Sequence, residues 1–340
     1  MNRSLSVFIW LIIILFTSCF SEDEKFDNSR RGNFDALWTI LDQKYCFFEY
    51  KNIDWDDVYA RYSRRISEDM SSEALFDLMD EMLKELKDGH VNLTSAFNVA
   101  RYAEWYDNYP RNFYIDIIEN DNYLAKDYKI ASGLRYKVLM DNVGYVYYNS
   151  FSSGVGRGNL NEVIKRMLSC DGIIIDIRSN GGGSLSNGEK LIEPFVTKKT
   201  HVGYMQHKTG KGHNDFSKPY ALYAEPFSGW SYLKPVVVLT NRRSYSAAND
   251  FVSAMKCADN VTIMGDKTGG GGGMPFSSEL PNGWSVRFSA SPRLTVDKEQ
   301  IEFGIDPDIF VELKESDREK GIDTIIEEAR AYIKKMQNLN

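Results

Sequence analysis

Two serines, Ser244 and Ser246, stand where an apolar strand gives way to a helix. Residues 236–239 are apolar and mostly β-branched, which predicts a short buried strand, and residues 247–255 carry apolar side chains at helical spacing. A hydroxyl at the first turn of a helix lies beside free backbone N–H groups and the positive end of the helix dipole, which suits a nucleophile. The alternative is that both serines only cap the helix, since serine is among the preferred N-cap residues.

A histidine lies at a position in the sequence from which it could act as a base for such a hydroxyl. His90 follows Gly89, which ends a predicted helix, and it precedes a predicted strand. Rigid elements on both sides would allow its imidazole to reach into a cleft and act as a base. A structural role at the end of the helix is the other interpretation.

Three consecutive glycines, residues 181–183, separate an apolar strand at residues 172–177 from a helix. This order places backbone N–H groups at the carboxyl end of the strand, where open α/β sheets bind ligands. The glycines are not spaced as in a dinucleotide fingerprint, and no P-loop lysine follows them. The turn is therefore expected to be either an oxyanion hole or a plain loop.

The remaining histidines and the cysteines indicate no cofactor. His201, His207 and His213 lie in a long polar excursion, but no pair of them has the spacing of metal ligands. Past residue 19, the cysteines are odd in number and far apart, which favours buried thiols over a disulfide framework. Neither a metal ion nor an organic cofactor is implied.

The composition is that of a globular protein. The chain has 340 residues, 43% of them hydrophobic, which is enough for one large core or two modest ones. Its formal net charge is −7 and no basic cluster occurs. A nucleic-acid partner is therefore not expected.

The first 18 residues have a short charged start, an apolar run and a small-residue cleavage zone, which predicts an export signal. The run ends on Cys19, followed by acidic residues, and resembles a bacterial lipoprotein signal in which this cysteine becomes the lipidated N-terminus. The expectation is an exported protein that is lipid-anchored to the bacterial cell envelope, on the periplasmic or surface face of the outer membrane. An ordinary cleaved signal with an incidental cysteine is the alternative.

Hydrophobic periodicity divides the rest of the chain into segments. The predicted order is a linker (19–32), an N-terminal helical subdomain (33–95), a β-rich connector (96–142), an α/β core with βαβ units (143–316) and a C-terminal helix (317–340). A run of five glycines, residues 269–273, lies within the core. It is predicted to be either mobile or tightly fitted against something, because glycine lets a backbone approach closely.

Four motifs of the core carry a resemblance to a known family. They lie at residues 176–183 (D-I-R-S-N-G-G-G), 241–249, 265–269 and 304–308. Together with the preceding helical region, they resemble the S41 serine peptidases, the carboxyl-terminal processing and tricorn-core group. The resemblance implies a ClpP/crotonase-like α/β core preceded by a small helical subdomain, and it covers residues 143–313 best. The gap that holds a PDZ domain in many processing peptidases is too short for one here.

The resemblance also assigns roles to residues. The nucleophile falls on Ser246, and the oxyanion donors fall on the amides of Ala247 and Gly182. Carboxyl-terminal processing peptidases use a lysine where this chain has Gly271. The tricorn-like branch instead uses a histidine and an acidic residue, which fall on His90 and Glu302.

Two positions depart from the tricorn-type pattern. Gly89 stands where that pattern has a serine beside the histidine. The serine that assists the histidine is therefore absent here or replaced by another residue. Glu302 lies one position nearer Gly304 than the usual family glutamate.

These residues predict a serine peptidase that acts on proteins or peptides. Ser246 attacks the peptide carbonyl, His90 takes its proton, and Glu302 orients or charges the imidazole. Two alternatives stay open. One is a non-catalytic lipoprotein on the same scaffold that binds a peptide or a hydrophobic ligand, because a fold does not determine a function. The other is a Ser246–Lys267 dyad.

Overall fold

The computed structural model describes residues 26–338. The predicted signal peptide and Cys19 lie outside the described residues. In chain order, the helices are α1 (Arg30–Lys44), α2 (Phe48–Lys51), α3 (Trp55–Ser63), α4 (Ser72–Lys84), α5 (Glu104–Asp107), α6 (Ile115–Ile118), α7 (Arg157–Met167), α8 (Leu185–Ile192), α9 (Ala247–Met255), α10 (Glu315–Arg318) and α11 (Thr324–Gln337). The strands are β1 (Asn92–Thr94), β2 (Val99–Arg101), β3 (Lys129–Ala131), β4 (Leu134–Val138), β5 (Val143–Tyr148), β6 (Gly172–Asp176), β7 (Thr200–Met205), β8 (Tyr220–Ala224), β9 (Val236–Thr240), β10 (Val261–Gly265), β11 (Gly273–Glu279), β12 (Ser285–Leu294) and β13 (Ile309–Phe310).

The apolar runs β6 and β9 form the centre of a seven-stranded sheet with the order β13-β10-β9-β6-β5-β4-β3. The five strands from β13 to β5 are parallel, and β4 and β3 are antiparallel. Successive residues of β6 enter opposite cores, Ile173 and Ile175 on one face and Ile174 on the other. Both faces are covered, which explains why these strands are continuously apolar rather than alternating.

Two βαβ units build this sheet, β5-α7-β6 and β9-α9-β10. In each unit, the chain leaves the carboxyl end of a strand and returns through a helix to a parallel neighbour. The predicted mixed α/β core is therefore confirmed, and so is the helical region that precedes it.

The N-terminal helices pack on a second, antiparallel sheet with the order β2-β1-β12-β7-β8, in which β11 also pairs with β12. Ser29, Asp54 and Ser71 cap helices α1, α3 and α4 by accepting hydrogen bonds from first-turn amides. The core between these helices and the sheet includes Val286 and Phe288 of β12. The segment from α4 to β1, which carries His90, is thereby fixed against β12.

Two segments differ in detail from the expectation. The connector at residues 96–142 contains the short helices α5 and α6 as well as strands. The C-terminal helix is divided into α10 and α11, with Gly321 at a positive φ of 70° between them. None of the helices between residues 26 and 338 combines the length and the apolar character needed to cross a bilayer.

Candidate active site

The imidazole of His90 and the hydroxyl of Ser246 meet, although they lie 156 residues apart in the chain. The distance from Nε2 to Oγ is 2.9 Å. Ser246 has φ 58° and ψ −122°, an unfavourable conformation for a residue with a side chain, at the position just before α9. Such strained strand-to-helix corners expose a serine nucleophile in other hydrolase folds.

Neighbouring backbone segments hold this corner in place. The Ser246 amide donates to the Gly270 carbonyl at 2.9 Å, and the Gly269 amide donates to the Ser244 carbonyl at 2.9 Å. A Cβ on Gly270 would collide with the Glu302 carbonyl oxygen. Of the two interpretations of the glycine run, the structure therefore shows the tightly fitted one.

Ser244 has a structural position. Its hydroxyl donates to the Ile177 carbonyl at 2.9 Å and accepts from the Asn241 amide at 3.1 Å, and the side chain is fully buried. Of the two serines at the corner, only Ser246 contacts the imidazole.

The far side of the imidazole faces a serine and a carboxylate. The Ser289 hydroxyl lies 3.5 Å from His90 Nδ1 and donates to Asp88 Oδ2 at 2.8 Å. Asp88 also accepts from the His90 amide at 2.8 Å and from the Tyr45 hydroxyl at 3.1 Å. All of these side chains are buried.

This arrangement favours the tautomer of His90 that carries its proton on Nδ1. Because the Ser289 hydroxyl donates to Asp88, its oxygen is left to accept from Nδ1–H. Nε2 is then unprotonated and accepts the Ser246 hydroxyl proton, as a general base must. Ser289, brought in by β12, thus lies between the Asp88 carboxylate and the imidazole in a chain that has a glycine at position 89.

Glu302 lies elsewhere in the cluster than the sequence analysis expects. Its Oε1 is 2.7 Å from Lys51 Nζ, and its Oε2 accepts from the Gly272 amide at 2.9 Å. No hydrogen bond or ion pair within residues 26–338 joins Glu302 to His90. The expected direct contact is therefore not formed, because Lys51 and the glycine run take both oxygens of the carboxylate.

Lys51 links the two buried carboxylates, since its Nζ also lies 3.8 Å from Asp88 Oδ2. Burial would raise the pKa of Asp88, but Lys51, His90 and the accepted hydrogen bonds outweigh burial and lower it. Burial, reinforced by Asp88, raises the pKa of Glu302 to about 8 against the effect of Lys51. Asp88, whose pKa is lowered, therefore carries the negative charge beside His90 at pH 7, and it is the stronger acid of the two carboxyl groups.

The pKa of His90 is lowered to about 4, mainly by burial; the charge of Asp88 opposes this shift, and the charges of Arg287 and Lys51 add to it. An imidazole must be neutral to accept a proton, so the base stays available until the pH falls through about 4. We expect kcat/KM to decline on the acid side with an apparent pKa near 4, well below the ordinary 6.5 of histidine. A pH–rate profile on an uncharged peptide measures this value, with circular dichroism at each pH to follow folding. An acid limb at 6.5 or above would contradict it.

The two predicted oxyanion donors differ in their surroundings. Ala247 is the first residue of α9, where helix amides have no intrahelical partner. The Gly182 amide instead donates to Asn180 Oδ1 at 3.0 Å, so a substrate carbonyl would have to compete with that bond. A Cβ on Gly182 would lie 2.8 Å from Ser246 Cβ and 2.9 Å from the Ala247 nitrogen. The glycine turn thus lies directly against the nucleophile.

Asp88, Ser289 and Lys51 were not found by sequence reasoning. Asp88 offered a signal, because it lies two residues before His90 in K-D-G-H. Ser289 lies on a strand and Lys51 at the end of a short helix, and neither has a neighbouring motif that marks it. Only the packing of β12 and α2 against the His90 segment reveals them.

The other histidines lie apart from this cluster. His201 contacts the Gly203 carbonyl, His207 lies between Ser291 and Tyr220, and His213 contacts Asp42. Across residues 26–338, no three His, Cys, Asp or Glu side chains are grouped so that they could hold a metal ion.

A serine on a strained corner, an imidazole at hydrogen-bond distance and a buried carboxylate behind it define a serine hydrolase site. The chain belongs to peptidase family S41: the family model matches residues 142–311, which are half of the chain. The C1 domain model of tricorn protease matches residues 26–84. The second match covers the helical region that leads to His90.

Individual proteins that are similar to this chain are consistent with its membership of this family. The carboxy-terminal processing protease CtpA of Bacillus subtilis is 29% identical over 176 residues, which are 51% of this chain and 36% of CtpA. Tricorn protease of Thermoplasma volcanium is 24% identical over 219 residues, which are 61% of this chain and 19% of that protein. The chain thus spans about a third or less of these relatives' lengths.

A solved structure matches almost throughout. The crystal structure of an inferred peptidase from Parabacteroides merdae is 52% identical and superimposes with a TM-score of 0.87. The match covers 90% of this chain and 97% of that one.

Proposed function

We propose that this protein is a serine peptidase in which Ser246 is the nucleophile and His90 the general base. The observation that carries the proposal is the 2.9 Å contact between His90 Nε2 and the Ser246 hydroxyl on its strained corner. An unassisted serine hydroxyl is a weak nucleophile, and a neutral imidazole at this distance removes its proton as it attacks. The substrate is a protein or peptide, as for the processing proteases that the chain resembles.

The reaction proceeds in two stages. Ser246 Oγ bonds to the peptide carbonyl carbon while its proton moves to His90 Nε2, and the Ala247 amide with an amide of the glycine turn stabilises the oxyanion. The imidazolium then donates that proton to the leaving amine, which departs and leaves an acyl-enzyme. Water, deprotonated by His90, attacks the acyl group and releases Ser246.

Asp88 supplies the negative charge that stabilises the imidazolium, through the Ser289 hydroxyl. It suits this role because its lowered pKa keeps it ionised, whereas the pKa of Glu302 is raised and its carboxylate is paired with Lys51. Glu302 and Lys51 act one step further away, by fixing the glycine run and the Asp88 carboxylate.

A lysine base is less well supported by the geometry. Lys267 Nζ bonds Asp306 Oδ2 at 3.2 Å, and Lys267 lines a different cavity from the one that contains Ser246. A base must lie within hydrogen-bond reach of the proton that it takes. His90 meets this condition.

The proposal extends to location on the grounds of the N-terminal sequence alone. Residues 1–18 would direct export, and lipidation of Cys19 would anchor the protein to the bacterial cell envelope. Metabolic labelling with a fatty-acid analogue, lost in Cys19→Ala, tests this part separately.

The test of the activity uses a fluorophosphonate probe, which reacts with activated serines. We expect the wild-type protein and Ser67→Ala, an exposed serine in the helical region, to be labelled and to cleave an unstructured protein. Ser246→Ala should show neither property while keeping its fold. A folded wild-type protein that is not labelled would favour the ligand-binding alternative.

A further inference from the structure

The cleft beside Ser246 contains an arginine that has no ionic partner in the described part of the chain. This cleft has a volume of about 350 Å³, and its lining includes Ser246, Ala247, Asp250, Arg287 and Arg293. Three of these side chains are charged, so their pairing determines the charge that a bound substrate meets.

Two of the three charges neutralise each other. Arg293 Nε bonds Asp250 Oδ1 at 2.6 Å, and Arg293 Nη2 bonds Asp250 Oδ2 at 2.8 Å. This is the bidentate geometry in which a guanidinium and a carboxylate satisfy one another. The pair has little net charge to offer a substrate.

The side chain of Arg287 is different, because it is exposed and makes no hydrogen bond or ion pair with any residue between 26 and 338. Exposed arginines elsewhere among residues 26–338 are of both kinds: Arg61 and Arg65 pair with Asp57 and Glu81, whereas the Arg64 side chain has no such partner. Because Arg293 and Asp250 neutralise each other, Arg287 is the cation of this cleft that has no carboxylate partner among residues 26–338.

The position of Arg287 on β12 brings its charge close to the reacting atoms. Ser289, which contacts His90, lies two residues further along the same strand, so both side chains project from one face about 7 Å apart along the strand. The positive charge of Arg287 also contributes to the low pKa of His90. Arg287 is therefore near the site where the scissile bond must lie.

We propose that Arg287 makes the cleft select substrates that present a carboxylate beside the scissile bond. The inference rests on the proposed peptidase function. A polypeptide can offer a carboxylate from two sources, an Asp or Glu side chain or its own C-terminus, and both fit a free guanidinium in the same way.

The experiment uses two sets of internally quenched peptides that share one sequence. In the first set, Glu or Gln is placed in turn at each position near the cleavage point. In the second set, the C-terminus is a free acid or an amide. We expect the wild-type protein to cleave the best carboxylate peptide with a kcat/KM at least about tenfold above its neutral counterpart, since a charge-assisted contact in a cleft is worth that much.

The variants assign this preference to Arg287. In Arg287→Gln the ratio should fall to about one, and in Arg287→Glu it should fall below one because a like charge then repels the carboxylate. Arg64→Gln is the matched control, because it removes an exposed, unpaired arginine of the N-terminal helical region. It should keep the wild-type ratio. The set in which the preference occurs identifies the source of the carboxylate.

Other outcomes would overturn the proposal. Cleavage without a carboxylate preference, or a preference that persists in Arg287→Gln, contradicts this inference and leaves the peptidase function standing. If Ser246 is labelled but no peptide is cleaved, the same peptides are compared as competitors of labelling, with the same expected ratios. Failure of both cleavage and labelling would overturn the peptidase function and this inference with it.

Discussion

Replacement of His90 by alanine is expected to lower kcat by at least about 10³-fold, because it removes the group that takes the Ser246 proton. The hydroxyl would remain on its strained corner, but its own pKa is far too high for attack at neutral pH. The measurement is turnover of an unstructured protein or a quenched peptide at saturating substrate. Some residual activity from the backbone oxyanion donors is expected.

Two variants serve as controls for this loss. His201→Ala removes a histidine of β7 whose ring contacts the Gly203 carbonyl, outside the site. Lys267→Ala removes the lysine of the alternative dyad, which is bonded to Asp306. Both should stay within about threefold of the wild-type rate, since surface substitutions away from a site have small effects. If Lys267→Ala abolished turnover while His90→Ala kept most of it, the assignment of the base would be wrong.

A loss of about 10² to 10⁴-fold in kcat is expected for Asp88→Asn. An amide has nearly the shape of the carboxylate, but its NH₂ group can donate to Ser289. The Ser289 hydroxyl would then donate to His90 Nδ1, which moves the proton of the imidazole to Nε2. A protonated Nε2 is a hydrogen-bond donor and cannot accept the proton of the Ser246 hydroxyl.

Ser289→Ala and Glu302→Gln distinguish Asp88 from the other members of the cluster. Ser289→Ala removes the link but keeps the Asp88 charge, so a loss of about tenfold is expected. Glu302→Gln retains the acceptor for the Gly272 amide and should also lose no more than about tenfold. A larger loss in Glu302→Gln than in Asp88→Asn would indicate that Glu302, and not Asp88, is the carboxylate that stabilises the His90 imidazolium. Thermal unfolding of each variant separates loss of activity from loss of fold.

The parts of the site that were predicted are the parts that local sequence controls. A strand that runs into a helix with Ser246 at the junction needs only local apolar periodicity and a residue that tolerates the corner. His90 was found in the same way, from a glycine stop followed by a strand. The βαβ units followed because continuous apolar strands and amphipathic helices alternate along the core.

The acidic partner was not predictable by the same reasoning. Glu302 and Asp88 are both acidic residues near glycines, and the chain around them does not say which one faces His90. Three-dimensional packing decides this: α2 brings Lys51 to Glu302, and β12 brings Ser289 between Asp88 and the imidazole. Burial raises the pKa of both carboxylates, but at Asp88 the charges of Lys51 and His90 and the accepted hydrogen bonds outweigh it, so the two pKa values shift in opposite directions. The difference is a property of the surroundings and not of the residue type.

The sequence by itself determined the helices, the strands and the nucleophile corner, because each depends on residues that are close along the chain. Only the tertiary structure decided that Ser289 lies between Asp88 and His90, that Glu302 pairs with Lys51, and that Arg287 has no ionic partner among residues 26–338. Ser289 lies 199 positions from His90 and 201 from Asp88 along the chain, and Glu302 lies 251 positions from Lys51. The geometry and charge of these contacts depend on how the two sheets and the N-terminal helices pack, and on which groups that packing removes from water.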